Sequence, residues 1–214
     1  MPAMTDQPTI PAIDRPFDRN TLRRAMIAAR QALPADARQA ASDAIARHLL
    51  DLLLPLTPGT LAFCWPIRAE VDCHPAITQL LAQGWHAAMP VVERLAAPLA
   101  FRTWQPDAPM TVDPYGIPIP DTLPAPPPDV LLIPLVAFDA AGYRLGYGGG
   151  YFDRTLAALD PRPLSVGVGF ELARVADLQP APHDIPLDRI VTETGVHRQA
   201  TVSSGESNTA FGRM

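Results

Sequence analysis

The sequence predicts a single three-layer α/β domain, a mostly parallel sheet between helices. Three observations predict it. Short apolar or β-branched runs recur at residues 60–65, 87–92, 130–138, 164–170 and 189–192. Stretches of helical or turn composition separate them, the alternation that builds parallel sheets. With 48% apolar residues in a chain of 214, there is enough material for one sizeable core.

The elements follow in order. Residues 1–16 are Pro-rich and aperiodic and are expected to lie outside the core. Residues 19–33 place Leu22, Met26, Ala29 or Arg30, and Leu33 at helical spacing, with Asp18 as N-cap and Pro34 closing the segment. A second helix is predicted over 35–54, with Ile45, Leu49, Leu52 and Leu53 inward and Pro55 ending it. Residues 74–83 and 151–159 read as crossover helices. From Trp104 through Pro134 run ten of the 26 prolines, which exclude a regular helix or central strand and predict a surface arm. From His197 the chain turns small and polar. The expected organisation is therefore one domain over 17–196, between an extension at 1–16 and a tail at 197–214.

Charge and composition exclude several functions. Seventeen basic against 22 acidic residues give a net charge of −5, so no basic field invites nucleic acid. The longest apolar run, 130–138, is about half a membrane span and contains Pro134, so no membrane partner is expected. Two cysteines, Cys64 and Cys73, make no disulfide framework and imply a reducing, cytoplasmic setting. They and His74 also give too few ligands for structural zinc. All 17 basic residues are arginines, which removes lysine Schiff-base chemistry and the lysine-containing phosphate loop. Any phosphate must be held by Arg, backbone N–H groups and a metal.

The segment 130–159 carries the chemistry. After a buried strand comes Leu145-Gly-Tyr-Gly-Gly-Gly-Tyr-Phe-Asp-Arg154, which opens a helix. Glycine costs about 0.5–1 kcal/mol relative to Ala in regular structure, so the cluster Gly146, Gly148, Gly149 and Gly150 asks for a reason. One reason is a phosphate nest, in which bare backbone N–H groups and the positive helix end meet an anion. A ligand-free strand-to-helix turn fits the spacing equally well. Arg144 and Arg154 flank the loop. Asp153 suits either a helix cap or a Mg²⁺ ligand. The spacing is not a dinucleotide fingerprint, because Tyr151 stands where the third glycine belongs.

This segment resembles the signature of the 5-formyltetrahydrofolate cyclo-ligase family, also called methenyltetrahydrofolate synthetases. The resemblance rests on Pro134-Leu-Val-Ala-Phe-Asp139 and on Gly142 through Arg154, and extends over about 19–193. Arg19-Asn-Thr-Leu-Arg23 is similar to an N-terminal Lys-x-x-Leu-Arg that contacts ATP phosphates, with Arg19 in place of Lys; by itself such a pair also suits a solvated helix face. Phe63 through Asp72 resembles the family's substrate-contacting strand and loop, with Cys73 where Thr is usual. Glu70 suits the amino-pyrimidine edge of a pterin and Trp65 suits its ring; by themselves they suit a surface Glu and a core Trp. Gly116-Ile-Pro-Ile-Pro120 resembles Gly-Ile-x-Glu-Pro, with Ile119 at the Glu position. His183 through Glu193 resembles the closing motif, whose second aspartate, here Asp188, is associated with Mg²⁺; Asp184 is a second choice.

The resemblance implies the three-layer α/β/α fold shared with sugar-phosphate isomerases and CoA transferases. It implies ATP- and Mg²⁺-dependent closure of 5-formyltetrahydrofolate to 5,10-methenyltetrahydrofolate, releasing ADP and phosphate through a phosphorylated formyl oxygen. By that resemblance Arg19, Arg23, Arg144, Gly146, Tyr147, Gly148, Gly149, Gly150, Tyr151 and Phe152 would hold ATP. Trp65, Glu70, Tyr147, Gly148, Gly149, Gly150 and Tyr151 would meet the folate, Arg144 and Tyr151 would act in catalysis, and Asp153 and Asp188 would hold Mg²⁺. The expected partners are small molecules alone, ATP and a reduced folate, on a monomer or weak homo-oligomer. Ile119 and Arg19 motivate an alternative, a non-catalytic nucleotide- or phosphate-binding regulator on the same fold.

Overall fold

The computed structural model describes residues 18–198. The expected extension at 1–16 lies outside them, as does the tail from 199. Helix α1 (Arg19–Gln31) starts where Asp18 accepts hydrogen bonds from the Asn20 and Thr21 amides, as an N-cap does. Pro34 then separates it from α2 (Ala35–Leu53). Strand β1 (Thr60–Ala62) leads through a long loop into α3 (His74–Ala82), followed by β2 (His86–Val91) and β3 (Ala100–Trp104). After the arm come β6 (Val130–Pro134), a short hairpin of β7 (Ala137–Phe138) and β8 (Arg144–Leu145), and α4 (Tyr151–Ala158). The domain closes with β9 (Leu164–Val168), β10 (Arg189–Thr192) and β11 (Gly195–Arg198).

Seven strands form one sheet in the order β11-β10-β9-β6-β1-β2-β3. The pairs β1–β2, β1–β6, β6–β9 and β9–β10 are parallel, while β3 and β11 add antiparallel edges. Two-residue alternation serves both faces. Leu132 turns toward Ile45, Leu49, Leu53, Ile77 and Leu80 of α2 and α3, whereas Leu131 and Ile133 meet Leu156 of α4. Helices on both faces make the predicted three layers.

Three expectations are corrected. Residues 130–138 are not one strand: Pro134 has no N–H for the ladder, so β6 ends there and β7 turns away to pair with β8. Asp139 caps that hairpin, its carboxylate accepting from the Ala141, Tyr143 and Leu178 amides. The ordered domain also passes residue 196, because His197 and Arg198 belong to β11 and pair with Ile190 and Arg189. The Pro-rich stretch is not a surface arm throughout: it folds into its own ribbon of β4 (Met110–Val112) and β5 (Pro118–Pro120), then bonds to β3 through the Thr103 amide to the Leu123 carbonyl and the Ala125 amide to the Phe101 carbonyl, and at Val130 it becomes the central strand β6. Among the described residues no helix is long and apolar enough to cross a membrane.

Candidate functional site

From β1 the chain moves outward to β2 and β3, then returns to β6 and moves the other way to β9 and β10. The order therefore reverses between β1 and β6, and at such a point the loops leaving the strand ends part to form a crevice. Phe63 to Glu70 leave β1 there, and Leu135 to Gly150 follow β6.

The glycine loop, 146–150, bridges β8 and α4. Gly148 and Gly150 have φ of +97° and +63°, left-handed conformations that exclude most side chains. A Cβ on Gly148 would lie 3.3 Å from Arg23 Nη2, and Arg23 Nε donates to the Gly146 carbonyl at 2.7 Å. Helix α1 is thus seated on the loop. Gly150 is the N-cap of α4 and supplies no side chain to it, so the first-turn amides keep the partial positive charge of an anion site. Arg154 donates Nη2 to the Gly149 carbonyl at 2.7 Å and stacks over Tyr151 at 5.0 Å. Its Nε is buried with no partner among the described residues, and a phosphate oxygen would meet that need.

Other expected residues have protein partners. Arg19 Nη2 donates to Asp184 Oδ2 at 2.6 Å and to the Gln179 carbonyl. Burial opposes ionisation of Asp184, but hydrogen bonds from Arg19 and the Ala181 amide outweigh it and hold its pKa below the ordinary value. Arg144, buried beneath the loop, donates to Asp153 Oδ1 at 2.8 Å and to the Ile185 carbonyl at 2.8 Å; burial lowers its pKa against the pull of Asp153. Phe152 packs against the α4-side core. Asp153 Oδ1 also accepts from the Ile185 amide, leaving Oδ2 without a partner among the described residues. Asp188 is placed differently: Oδ2 accepts from the Ser165 amide and hydroxyl, and Oδ1 faces Arg162 at 3.7 Å. Among the described residues no group of three metal-ligating side chains gathers.

Across the crevice, Tyr147 donates its hydroxyl to Glu70 Oε1 at 2.7 Å and accepts from Arg30 Nη2 at 2.8 Å. Glu70 Oε2 accepts from the Ile67 amide. Burial raises the Glu70 pKa despite these donors, and burial with the adjoining Glu70 charge pushes Tyr147 up to about 12. Glu70 lines a cavity of about 20 Å³ with Phe63, Pro66, Leu132, Pro134 and Val168, space for about one water. Trp65 lies against the core beside this loop, its ring 4.8 Å from that of His74.

Sequence reasoning missed three participants. Arg30, on the buried stripe of α1, also donates to the Leu135 and Arg68 carbonyls and ties β6 to the β1 loop; a charged residue on an apolar stripe was the signal. Arg68 lies over the Tyr147 ring at 5.4 Å. Tyr115, in the β4–β5 turn, brings its hydroxyl 3.3 Å from that of Tyr151, a contact no local pattern discloses.

The sequence profile of the 5-formyltetrahydrofolate cyclo-ligase family matches residues 16–193. The chain is 32% identical over 174 residues to the 5-formyltetrahydrofolate cyclo-ligase of Escherichia coli, covering 78% of this chain and 96% of that one. It is 31% identical over 154 residues to that of Haemophilus influenzae, covering 69% and 82%. The fold is similar to the 5,10-methenyltetrahydrofolate synthetase of Aquifex aeolicus, with a TM-score of 0.73 and 29% identity over 89% of this chain and 97% of that one. For the Mycoplasma pneumoniae synthetase the values are 0.70, 27%, 83% and 99%.

Proposed function

Because the chain belongs to the 5-formyltetrahydrofolate cyclo-ligase family, we propose that it closes 5-formyltetrahydrofolate to 5,10-methenyltetrahydrofolate with ATP, releasing ADP and phosphate. The observation carrying this reading is the buried Arg154 Nε without a partner beside the open N-terminus of α4. A glycine loop that sets an unpartnered guanidinium N–H in the first turn of a helix with no capping side chain suits a terminal phosphate.

The chemical problem is the leaving group. A formyl oxygen departs poorly as hydroxide, so the oxygen first attacks the γ-phosphorus and the bond to ADP breaks. The neighbouring folate amine then forms a C–N bond to the activated carbon and loses its proton, and the C–O bond breaks to release phosphate. The protein needs no covalent nucleophile; it positions two substrates and neutralises charge. The amides of Gly148–Tyr151, with Arg154 and Arg23, hold the triphosphate. Arg144 acts by fixing Asp153, and Arg19 reaches a phosphate only by exchanging its bond to Asp184. Glu70, Tyr147 and Trp65 border the pterin, whose entry requires the loop over the 20 Å³ cavity to open.

Mg²⁺ usually binds through one or two carboxylates and completes its shell with water and phosphate. Asp153 Oδ2 fits that demand; at Asp188, Ser165 occupies Oδ2, and Oδ1 would have to leave its pairing with Arg162 at 3.7 Å to join. Bound there, the ion would neutralise phosphate charge. The test is the near-ultraviolet absorbance of methenyltetrahydrofolate with and without Mg²⁺ and ATP. Product only with ATP supports the reading; ATP binding without product assigns the regulator, and product without ATP overturns the phosphorylation step.

A further inference from the structure

A second cavity, of about 510 Å³, lies between the β7–β8 turn and the β10–β11 edge and shares no lining residue with the glycine loop or the Glu70 pocket. Its volume is that of a small-molecule site. Leu187 and Ile190 supply apolar lining; Arg174, Arg189, Arg198 and His197 supply cationic or titratable lining. The carboxylate in the lining, Asp139, is 3% exposed and has both oxygens engaged by backbone amides. It is not available to balance arginine.

Glu171 answers part of the charge: it accepts from Arg174 Nε and Nη2, and its Oε2 is 3.3 Å from His197 Nε2. Among the described residues the other two arginines have no such partner. Arg189 donates Nη1 to the Asp188 carbonyl, and Arg198 has no ionic or hydrogen-bonded partner among the described residues. Moreover, Arg189 and Arg198 are directly opposite in the β10–β11 ladder, which places both side chains on one face of the sheet. Like charges in that relation destabilise a strand pair. An oxyanion bridging them would turn the repulsion into paired charge-assisted hydrogen bonds, for which the planar guanidinium is well shaped.

We propose that this cavity is an oxyanion site, in which Arg189 and Arg198 bind the carboxylate or phosphate of a small organic molecule whose apolar body rests on Val196, a lining residue on the same face of the ladder. The site is independent of the ring-closing reaction. To test it, the full chain is titrated with inorganic phosphate and with glutarate, each against chloride at equal ionic strength, following melting temperature and calorimetric affinity.

The wild type should melt higher with at least one oxyanion than with chloride. Arg198→Ala should weaken that binding by roughly tenfold or more, the equivalent of losing a charge-assisted hydrogen bond. It should also melt no lower than wild type in chloride, and ring closure should be unchanged. Arg189→Gln, which keeps a polar side chain, should weaken the same binding. A response to phosphate alone assigns a phosphorylated ligand, to glutarate alone a carboxylate, and to both their shared chemistry. The proposal fails if neither probe exceeds chloride, or if both variants bind as tightly as wild type, which would place the anion on the glycine loop.

Discussion

Arg144 and Asp153 meet at 2.8 Å across the glycine loop, and the pair clamps both backbone groups of residue 185: Arg144 donates to the Ile185 carbonyl while Asp153 accepts from its amide. The last strand before the loop, the first turn after it and the closing segment of the chain are thereby joined by one ion pair. The Arg144 side chain is 6% exposed, so its buried charge is compensated chiefly by that carboxylate.

Asp153→Asn keeps an oxygen in place while removing the charge. Breaking a buried pair costs about 3–5 kcal/mol; with the Asp153 side chain 20% exposed, solvent screening reduces the expectation to about 1–3 kcal/mol. The Mg²⁺ concentration needed for half-maximal turnover should also rise. Melting curves and a Mg²⁺ titration separate the two effects. A variant that melts lower but keeps the wild-type Mg²⁺ requirement would make Asp153 a brace for Arg144 and nothing more.

Gly150→Ala tests the loop. The left-handed backbone at φ +63° disfavours a Cβ by about 1–2 kcal/mol, and that Cβ would stand 2.9 Å from Arg154 Nη1. Nucleotide affinity should therefore fall along with stability, since displacing Arg154 removes a phosphate partner. Gly146→Ala is the control: nothing lies within 4 Å of its added Cβ. Equal loss of ATP affinity in both variants would exclude the loop geometry as the cause.

The local patterns disclosed most of the fold because propensity, capping and burial agree there. Asp18 and Pro34 bound α1, and the β-branched runs become strands of the sheet. Pro134 was visible too, but its consequence depended on β8 being near enough to take up β7. The glycine loop was legible as unusual chemistry. Its partners were not: Arg154 is adjacent in sequence, but Arg30 reaches Tyr147 across 117 positions and Tyr115 reaches Tyr151 across 36. Such contacts are products of topology, and no local periodicity encodes them. Asp188 suited a metal ligand from its motif, yet its bonds to Ser165 depend on the β9–β10 register.

The Glu70 pKa is raised by burial, and the sign of its effect on stability follows. Below the usual carboxylate range, near 4.3, folded and unfolded chains both keep the proton and the group contributes nothing. As pH climbs, the unfolded chain releases it first, so folding loses stability until pH passes the folded value. Glu70→Gln cannot titrate and should escape that decline. Melting both proteins from about pH 4 to 8 should show the wild type losing ground to the variant as pH rises. A difference that is flat, or that moves toward the wild type, would exclude burial as the dominant influence on this carboxyl.

Tyr115 offers the sharpest check on the arm. It is 59% exposed, and its hydroxyl meets Tyr151 at 3.3 Å while Asp113 holds the turn by accepting from the Tyr115 and Ile117 amides. An exposed hydroxyl pair contributes little to folding, so Tyr115→Phe should melt within about 0.5 kcal/mol of wild type. Tyr151 directly follows the glycine loop and touches the arm through Tyr115, so under the proposed function the pair would close the arm over the place where nucleotide and folate meet. Losing it should raise KM for the folate several-fold while KM for ATP stays nearly constant, because the loop amides and Arg154 are untouched. Asp113→Ala, which loosens the whole turn, should act in the same direction and more strongly. If folate KM is unchanged in both variants, the arm rests beside the site without closing it, and the Tyr115–Tyr151 contact is only a surface pairing.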